Sequence, residues 1–361
     1  MSGSLACYDV VLLDLDGTVV RGSEVVPGAP DVVNELRQGG TAVQFITNNA
    51  ARGPDEVAKH LTALGVRTVP EEVLTSGQAA VAVLAAQLPA GAAVLIVGTE
   101  ALVAAVRAAG LRPVTTACEH PAAVLQGHSP ETGWARLAEA CLAIRAGATW
   151  VACNVDRTLP TERGLLPGNG AMVAALRAAT DREPAVAGKP ARSLLDTAVD
   201  RTGAQRPLVV GDRLDTDIAG AWCAGLDSLL VLSGVADATA LLAAPPEQRP
   251  VYLGADLRVL RGSLEGTRIQ ARPGWRADST DSADSTDSAD STDSADSTDS
   301  ADSTDSTVVL HRHGTIGDPL DALRTLCAVW WAERSGPVRV QAGDAAAAAA
   351  LEAVGLNPVR P

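Results

Sequence analysis

The sequence predicts an α/β protein: a doubly wound, Rossmann-like parallel sheet with an inserted α/β domain and a small C-terminal α/β tail. Three observations carry that expectation. Short β-rich runs alternate with segments of helical length. The chain is 47% hydrophobic but only 2% aromatic, the alanine- and valine-rich makeup of helices packed on parallel strands. The strand-like runs end in polar clusters, where open α/β sheets bind their ligands. At 361 residues the chain can form two or three units, each with its own core.

The clearest strands are residues 8–15, 43–47, 94–97, 150–153, 208–210 and 229–232, most of them separated by helical segments. The first ends in Asp14-Leu15-Asp16-Gly17-Thr18, where alternation sends both carboxylates one way before glycine permits a sharp turn. Such a pair repels unless a divalent cation and an amine stand nearby. A second run ends in Thr47-Asn48-Asn49, a hydroxyl and backbone N–H groups able to hold phosphate oxygens. Gly188-Lys189-Pro190 follows a short β-like stretch, with Pro190 at the expected first position of a helix through Leu194 and Leu195. The run 208–210 leads into Gly211-Asp212-Arg213-Leu214-Asp215-Thr216-Asp217, an acidic loop suited to a hard, oxygen-liganded cation. Each piece alone is an ordinary turn, cap or surface residue; the argument lies in the set.

These four elements, in this order, resemble the four motifs of the haloacid dehalogenase superfamily. The resemblance implies a nucleophile at Asp14, a general acid and base at Asp16, and Mg²⁺ held by Asp14, the Asp16 main-chain carbonyl and Asp212. It also implies phosphoryl binding by Thr47, Asn48, Asn49 and Lys189, with Asp217 as the supporting second acid of the last motif. Asp215 is expected to hydrogen-bond within its loop. The second acid at Asp16 favours a phosphatase over a transport ATPase or a dehalogenase, working through an aspartyl-phosphate that splits a very slow hydrolysis into two steps.

About 140 residues separate Thr47 from Lys189, enough for an inserted domain. That spacing resembles the capped group holding nucleotide, phosphoglycolate, pyridoxal and nitrophenyl phosphatases. The expected divisions are core at 1–80 and 184–275, cap at 81–183, a disordered linker at 276–307 and a tail at 308–361. The stretches 95–102 and 158–170 most resemble bacterial phosphatases that act on glycerol 3-phosphate and carry an acetyltransferase-like tail. Glycerol 3-phosphate is the expected substrate, with phosphoglycolate, pyridoxal phosphate or a nucleotide as alternatives. A cap loop with Asp156, Thr158 and Leu159 is expected to meet the leaving group.

Residues 277–307 repeat Ala-Asp-Ser-Thr-Asp-Ser about five times and offer nothing larger than alanine to bury, so disorder is expected. The repeat holds ten of the aspartates behind a net charge of −14, leaving roughly −4 elsewhere and no basic stripe for nucleic acid. Beyond it, strands are expected at 308–311 and 338–340, and helices at 320–333 and 345–354, with Trp330 and Trp331 in the core. A tail that senses a ligand or binds acyl-coenzyme A is a rival reading, but 307–361 lacks the R/Q-x-x-G-x-G/A loop of acetyltransferases. Docking on the phosphatase or pairing into a homodimer is the expected role. Six scattered cysteines without metal-ligand spacing suggest buried, reduced thiols, and no apolar run spans a bilayer. A cytoplasmic protein without membrane or nucleic-acid partners is expected.

Overall fold

The computed structural model describes residues 7–161, 163–280 and 306–357. By its internal contacts the chain forms two compact units: residues 1–235 with 254–265, and 236–253 with 266–361.

The first unit holds two parallel sheets. One contains β1 (Val10–Asp14), β2 (Ala42–Thr47), β3 (Val73–Thr75), β9 (Pro207–Gly211) and β10 (Asp227–Val231), in the order β10-β9-β1-β2-β3. All five residues of β1 are buried, as a central strand covered on both faces demands. The chain leaves β1 to one side for β2 and returns on the other as β9, so a topological switch point lies at the carboxyl end of β1. Register brings the polar ends level: Asp14 pairs with Ile46, next to Thr47, and Leu13 pairs with Val210, two residues before Asp212.

The inserted sheet has five strands: β4 (Ala93–Val97), β5 (Arg112–Val114), β6 (Ala123–Gln126), β7 (Thr149–Ala152) and β8 (Ala185–Val186), in the order β8-β7-β6-β4-β5. One apolar cluster runs through both sheets, joining Leu12, Ile46, Leu74 and Val209 to Val94, Ile96, Leu125 and Val151. The expected boundaries at 80/81 and 183/184 differ from this arrangement. The first falls inside helix Ser76–Ala85, and β8 pairs with β7 although it lies beyond the second. After β7, Thr158–Thr161 and Gly164–Pro167 form an antiparallel hairpin packed on helix Asn169–Thr180, with Leu165 70% exposed.

The second unit carries β11 (Trp275–Thr280), β12 (Thr307–Arg312) and β13 (Arg339–Ala342), with helices Asp321–Glu333 and Ala345–Ala353. β11 pairs antiparallel with β12, and β12 parallel with β13. Order therefore continues to Thr280, four residues into the segment expected to lack it, because the backbone there finds a ladder on β12. The rest of the repeat, 281–305, lies outside the described residues. Trp330 is buried, and Trp331 stacks under Arg249 at 5.2 Å while donating its indole N–H to the Leu242 carbonyl. Of the cysteines only Cys153 and Cys327 are buried; Cys7, Cys118 and Cys223 are exposed. Among the described residues no helix is long and apolar enough to cross a membrane.

Candidate active site

At the carboxyl ends of β1 and β9, the carboxylates of Asp14, Asp212 and Asp217 each offer an oxygen within 4.8 Å of the others, and all three residues are buried. The Lys189 ammonium, 2% exposed, enters this cluster and donates to Asp14 Oδ1 at 2.5 Å and Asp217 Oδ1 at 2.6 Å. Burial opposes the charge on Lys189, but Asp14 and Asp217 outweigh it and raise its pKa. One ammonium cannot balance three carboxylates. Desolvation, helped by repulsion from Asp217, holds Asp14 well above the usual carboxylate range despite Lys189. Desolvation and Asp217 likewise push Asp212 up to about 6, against the pull of the Val235 N–H. The cluster is short of positive charge.

Glycines make the close approach of these acids possible. Gly17 has φ +95°, and a Cβ there would stand 2.2 Å from Asp212 Oδ2; a Cβ on Gly234 would stand 1.9 Å from the same oxygen. Asp212 thus sits in a cradle of two glycines, accepting from the Val235 N–H at 2.7 Å and from the Thr18 hydroxyl at 3.4 Å. Asp217 packs on Gly211 in the same manner. Its Oδ2 accepts from the Arg213 N–H at 3.0 Å while Oδ1 holds Lys189, so both its oxygens are committed. Asp14 Oδ2 accepts no hydrogen bond from the described residues, and Asp212 Oδ1 has only the long contact to Thr18. A hard dication fits this all-oxygen, electron-rich set: Asp14 and Asp212 could serve it as side-chain ligands, while both oxygens of Asp217 are committed to Lys189 and the Arg213 N–H.

Asp16 stands apart from the buried cluster. Strand pairing ends at Asp14, the chain turns at Gly17, and Asp16 is exposed rather than facing the same buried point. The surrounding protein still withdraws water from its carboxyl and raises its pKa, against Lys189, Arg52 and His60.

Thr47 is buried and its oxygen accepts from the Asn49 N–H at 3.0 Å, leaving the hydroxyl proton to donate elsewhere. The phosphoryl donors expected from Asn48 and Asn49 are backbone N–H groups, of which that of Asn49 goes to Thr47; their side chains work elsewhere. Asn48 Oδ1 accepts from the Lys189 N–H at 2.8 Å and Nδ2 donates to the Lys189 carbonyl at 2.9 Å, so this side chain clamps the backbone that carries the ammonium. Asn49 is exposed and its side chain accepts from the Ala51 N–H. Lys189 and Pro190 precede their helix rather than opening it, since the helix runs Ser193–Thr202; the bond between them is cis. Asp215 accepts a two-pronged contact from Arg213 at 3.0 and 2.8 Å, within its own loop as expected.

The cap loop divides. Asp156 lies near the core, its carboxylate 3.5 Å from Arg213 and 3.3 Å from Asn48 Nδ2. Thr158 and Leu159 belong to the hairpin, Thr158 exposed and Leu159 half-buried, and neither joins the acidic cluster. Sequence reasoning missed Asn154, which donates to the Asn48 carbonyl at 2.7 Å, and Ser76, which donates to the same oxygen at 2.5 Å. It also missed Ser233, Gly234 and Val235, for which the only signal was a Ser-Gly turn after a strand end.

Residues 11–112 match the model for haloacid dehalogenase-like hydrolases, residues 186–260 a second hydrolase-like model of that group, and residues 300–356 a GCN5-related N-acetyltransferase-like domain. The chain is 48% identical to a D-glycerol 3-phosphate phosphatase of Mycobacterium tuberculosis over 350 residues, covering 96% of this chain and 93% of the relative. It is 36% identical to a 5′-nucleotidase of Bacillus subtilis over 63% of this chain and 88% of that one. Among solved structures, a glycerol phosphate phosphatase of Mycobacterium tuberculosis in complex with magnesium superimposes with a TM-score of 0.86 at 47% identity, covering 99% of each chain. A 4-nitrophenylphosphatase of Thermotoga maritima gives a TM-score of 0.66 at 28% identity, over 70% of this chain and 96% of that one. The chain belongs to the haloacid dehalogenase-like hydrolases. Within them it is a phosphatase that acts on phosphate monoesters.

Proposed function

We propose that this chain hydrolyses glycerol 3-phosphate to glycerol and phosphate, with Mg²⁺ as cofactor, in the cytosol. The observation that carries the chemistry is the buried Lys189 held between Asp14 and Asp217 beside the glycine-cradled Asp212. The substrate rests on likeness to the glycerol phosphate phosphatases, which extends through nearly the whole chain.

In this reading one carboxylate oxygen of Asp14 attacks phosphorus and forms the aspartyl-phosphate, while its other oxygen stays with the cations. Lys189 and the Thr47 hydroxyl neutralise and orient the phosphoryl oxygens as charge builds in the transition state. Asp16, with its raised pKa and exposed position, gives a proton to the departing alkoxide. It then takes one from the water that cleaves the intermediate. Mg²⁺ held by Asp14 and Asp212 supplies the charge that lets a carboxylate approach a phosphate dianion. Asn48 and Asp217 keep Lys189 in place from its backbone and its ammonium.

The test is a steady-state panel with purified protein in Mg²⁺: glycerol 3-phosphate, phosphoglycolate, pyridoxal phosphate, a mononucleotide and a hexose phosphate. Glycerol 3-phosphate is expected to give the highest kcat/KM. A higher value for phosphoglycolate or pyridoxal phosphate would remove the substrate assignment and leave the mechanism standing. Sedimentation of the same sample reads the assembly, for which we propose a homodimer.

A further inference from the structure

Asp156 follows strand β7 of the inserted sheet, yet its carboxylate is turned toward the core. Arg213 Nη1 stands 3.5 Å from Asp156 Oδ1, while Nε and Nη2 of the same guanidinium grip Asp215. Asn48 Nδ2 lies 3.3 Å from the other Asp156 oxygen. Both partners also govern Lys189. The Arg213 N–H holds Asp217 Oδ2, whose other oxygen binds the ammonium, and the Asn48 amide clamps the Lys189 backbone on both sides. Two separate routes therefore lead from one carboxylate of the inserted sheet to the buried cation.

We propose that Asp156 and Arg213 form an interlock that sets how the inserted sheet closes on the core, making both positioning residues for the phosphoryl site. The inference rests on the phosphatase reading above and adds a role for Asp156 different from contact with the leaving group. Arg213 suits the task because its planar fork serves Asp215 and Asp156 together; a lysine carries the charge but not the fork. The pair is half-exposed, with the Arg213 side chain 34% and the Asp156 side chain 23% accessible, so solvent screens it and its effect is expected to be modest.

The experiment is a double-mutant cycle on the full chain at saturating Mg²⁺, with Asp156→Asn, Arg213→Gln and the double variant, using glycerol 3-phosphate and nitrophenyl phosphate. Each single variant is expected to lower kcat/KM about fivefold, with kcat sharing the loss because Lys189 acts on the transition state. The ratio should be alike for both esters, because closure acts on the site and not on one leaving group. The double variant should be no worse than the poorer single, and Arg213→Lys should recover part of the loss. Multiplying losses in the double variant, or unchanged kcat/KM in Asp156→Asn, would overturn the interlock. A loss confined to glycerol 3-phosphate would also overturn it, by making Asp156 a direct substrate contact. Failure of the unsubstituted chain to turn over either ester would instead bring down the phosphatase reading, and the interlock with it.

Discussion

Glycine decides how close the acids of this site can come. Asp212 reaches the cluster only because Gly17 and Gly234 leave room for its carboxylate, and the nearer wall is Gly234. Gly234→Ala would put a methyl group 1.9 Å from Asp212 Oδ2 and 2.4 Å from Cγ, so the carboxylate must swing away from its Val235 donor. The Mg²⁺ concentration for half-maximal activity is expected to rise about tenfold or more, the loss that follows when a ligand's supporting shell is disturbed. Gly133→Ala, where nothing stands within 4 Å, is the control. A metal titration of activity decides it; matching curves for the two variants would remove Asp212 from the ligand set. Asp14, Lys189 and Asp212 could be singled out in the sequence because each sits at a strand end in a recognisable motif. Gly234 could not, because its importance lies in a carboxylate 22 residues away that only folding brings near.

At the scale of elements, the same distinction separates what was legible from what was not. Strands such as Val10–Asp14 and Pro207–Gly211 announce themselves as continuous apolar runs, since a parallel sheet covered on both faces needs no alternation. Thr158–Thr161 holds a proline and two threonines and looks like a loop; its ladder exists because Gly164–Pro167 folds back on it. Trp275–Thr280 ends in repeat composition, yet pairing with Thr307–Arg312 overrides that local preference. The Asp156–Arg213 pair, 57 residues apart, has no local signal at all. Helix Ala345–Ala353 shows the opposite case, a legible element with a legible cap. Its Asp344 accepts from the Ala347 N–H at 2.9 Å and the Arg312 N–H at 2.7 Å, and these donors, Ala347 first, hold the carboxyl below its usual range. A depressed carboxylate pKa stabilises the fold above the unfolded value of about 4, and that gain disappears as pH falls through the folded value. Asp344→Ala should cost about 1 kcal/mol near neutral pH, whereas Asp344→Asn, which keeps an acceptor, should cost less and lose the acid dependence. Hydrogen exchange of residues 345–353 from pH 3 to 7 checks both; equal protection in the alanine variant and the parent would show that the cap contributes nothing.

For the whole molecule, the charge imbalance at the carboxyl ends of the central strands links folding to the cofactor. Asp14, Asp212 and Asp217 are buried against a single ammonium, and an ion that binds only the assembled cluster must stabilise the assembly. These acids come from β1 and from the strand and loop at 207–217, almost 200 residues apart in sequence, so the unfolded chain offers no comparable site. At Mg²⁺ one hundred times its dissociation constant the gain is about 2.7 kcal/mol, enough to raise the melting temperature by a few degrees. The gain should be localised. Amides of Val10–Asp14 and Pro207–Gly211 should exchange more slowly with Mg²⁺ than in excess chelator, while those of Thr307–Arg312, in the second unit, should change little. Ca²⁺ should stabilise as well, since its larger, looser shell also accepts carboxylate oxygens, yet it should support less turnover because that shell misplaces Asp14 relative to phosphorus. Stabilisation and catalysis are therefore expected to separate between the two ions. A melting temperature that ignores both ions would mean that the cluster balances its charge by keeping protons on Asp14 and Asp212, and the metal site assigned to them would have to be abandoned.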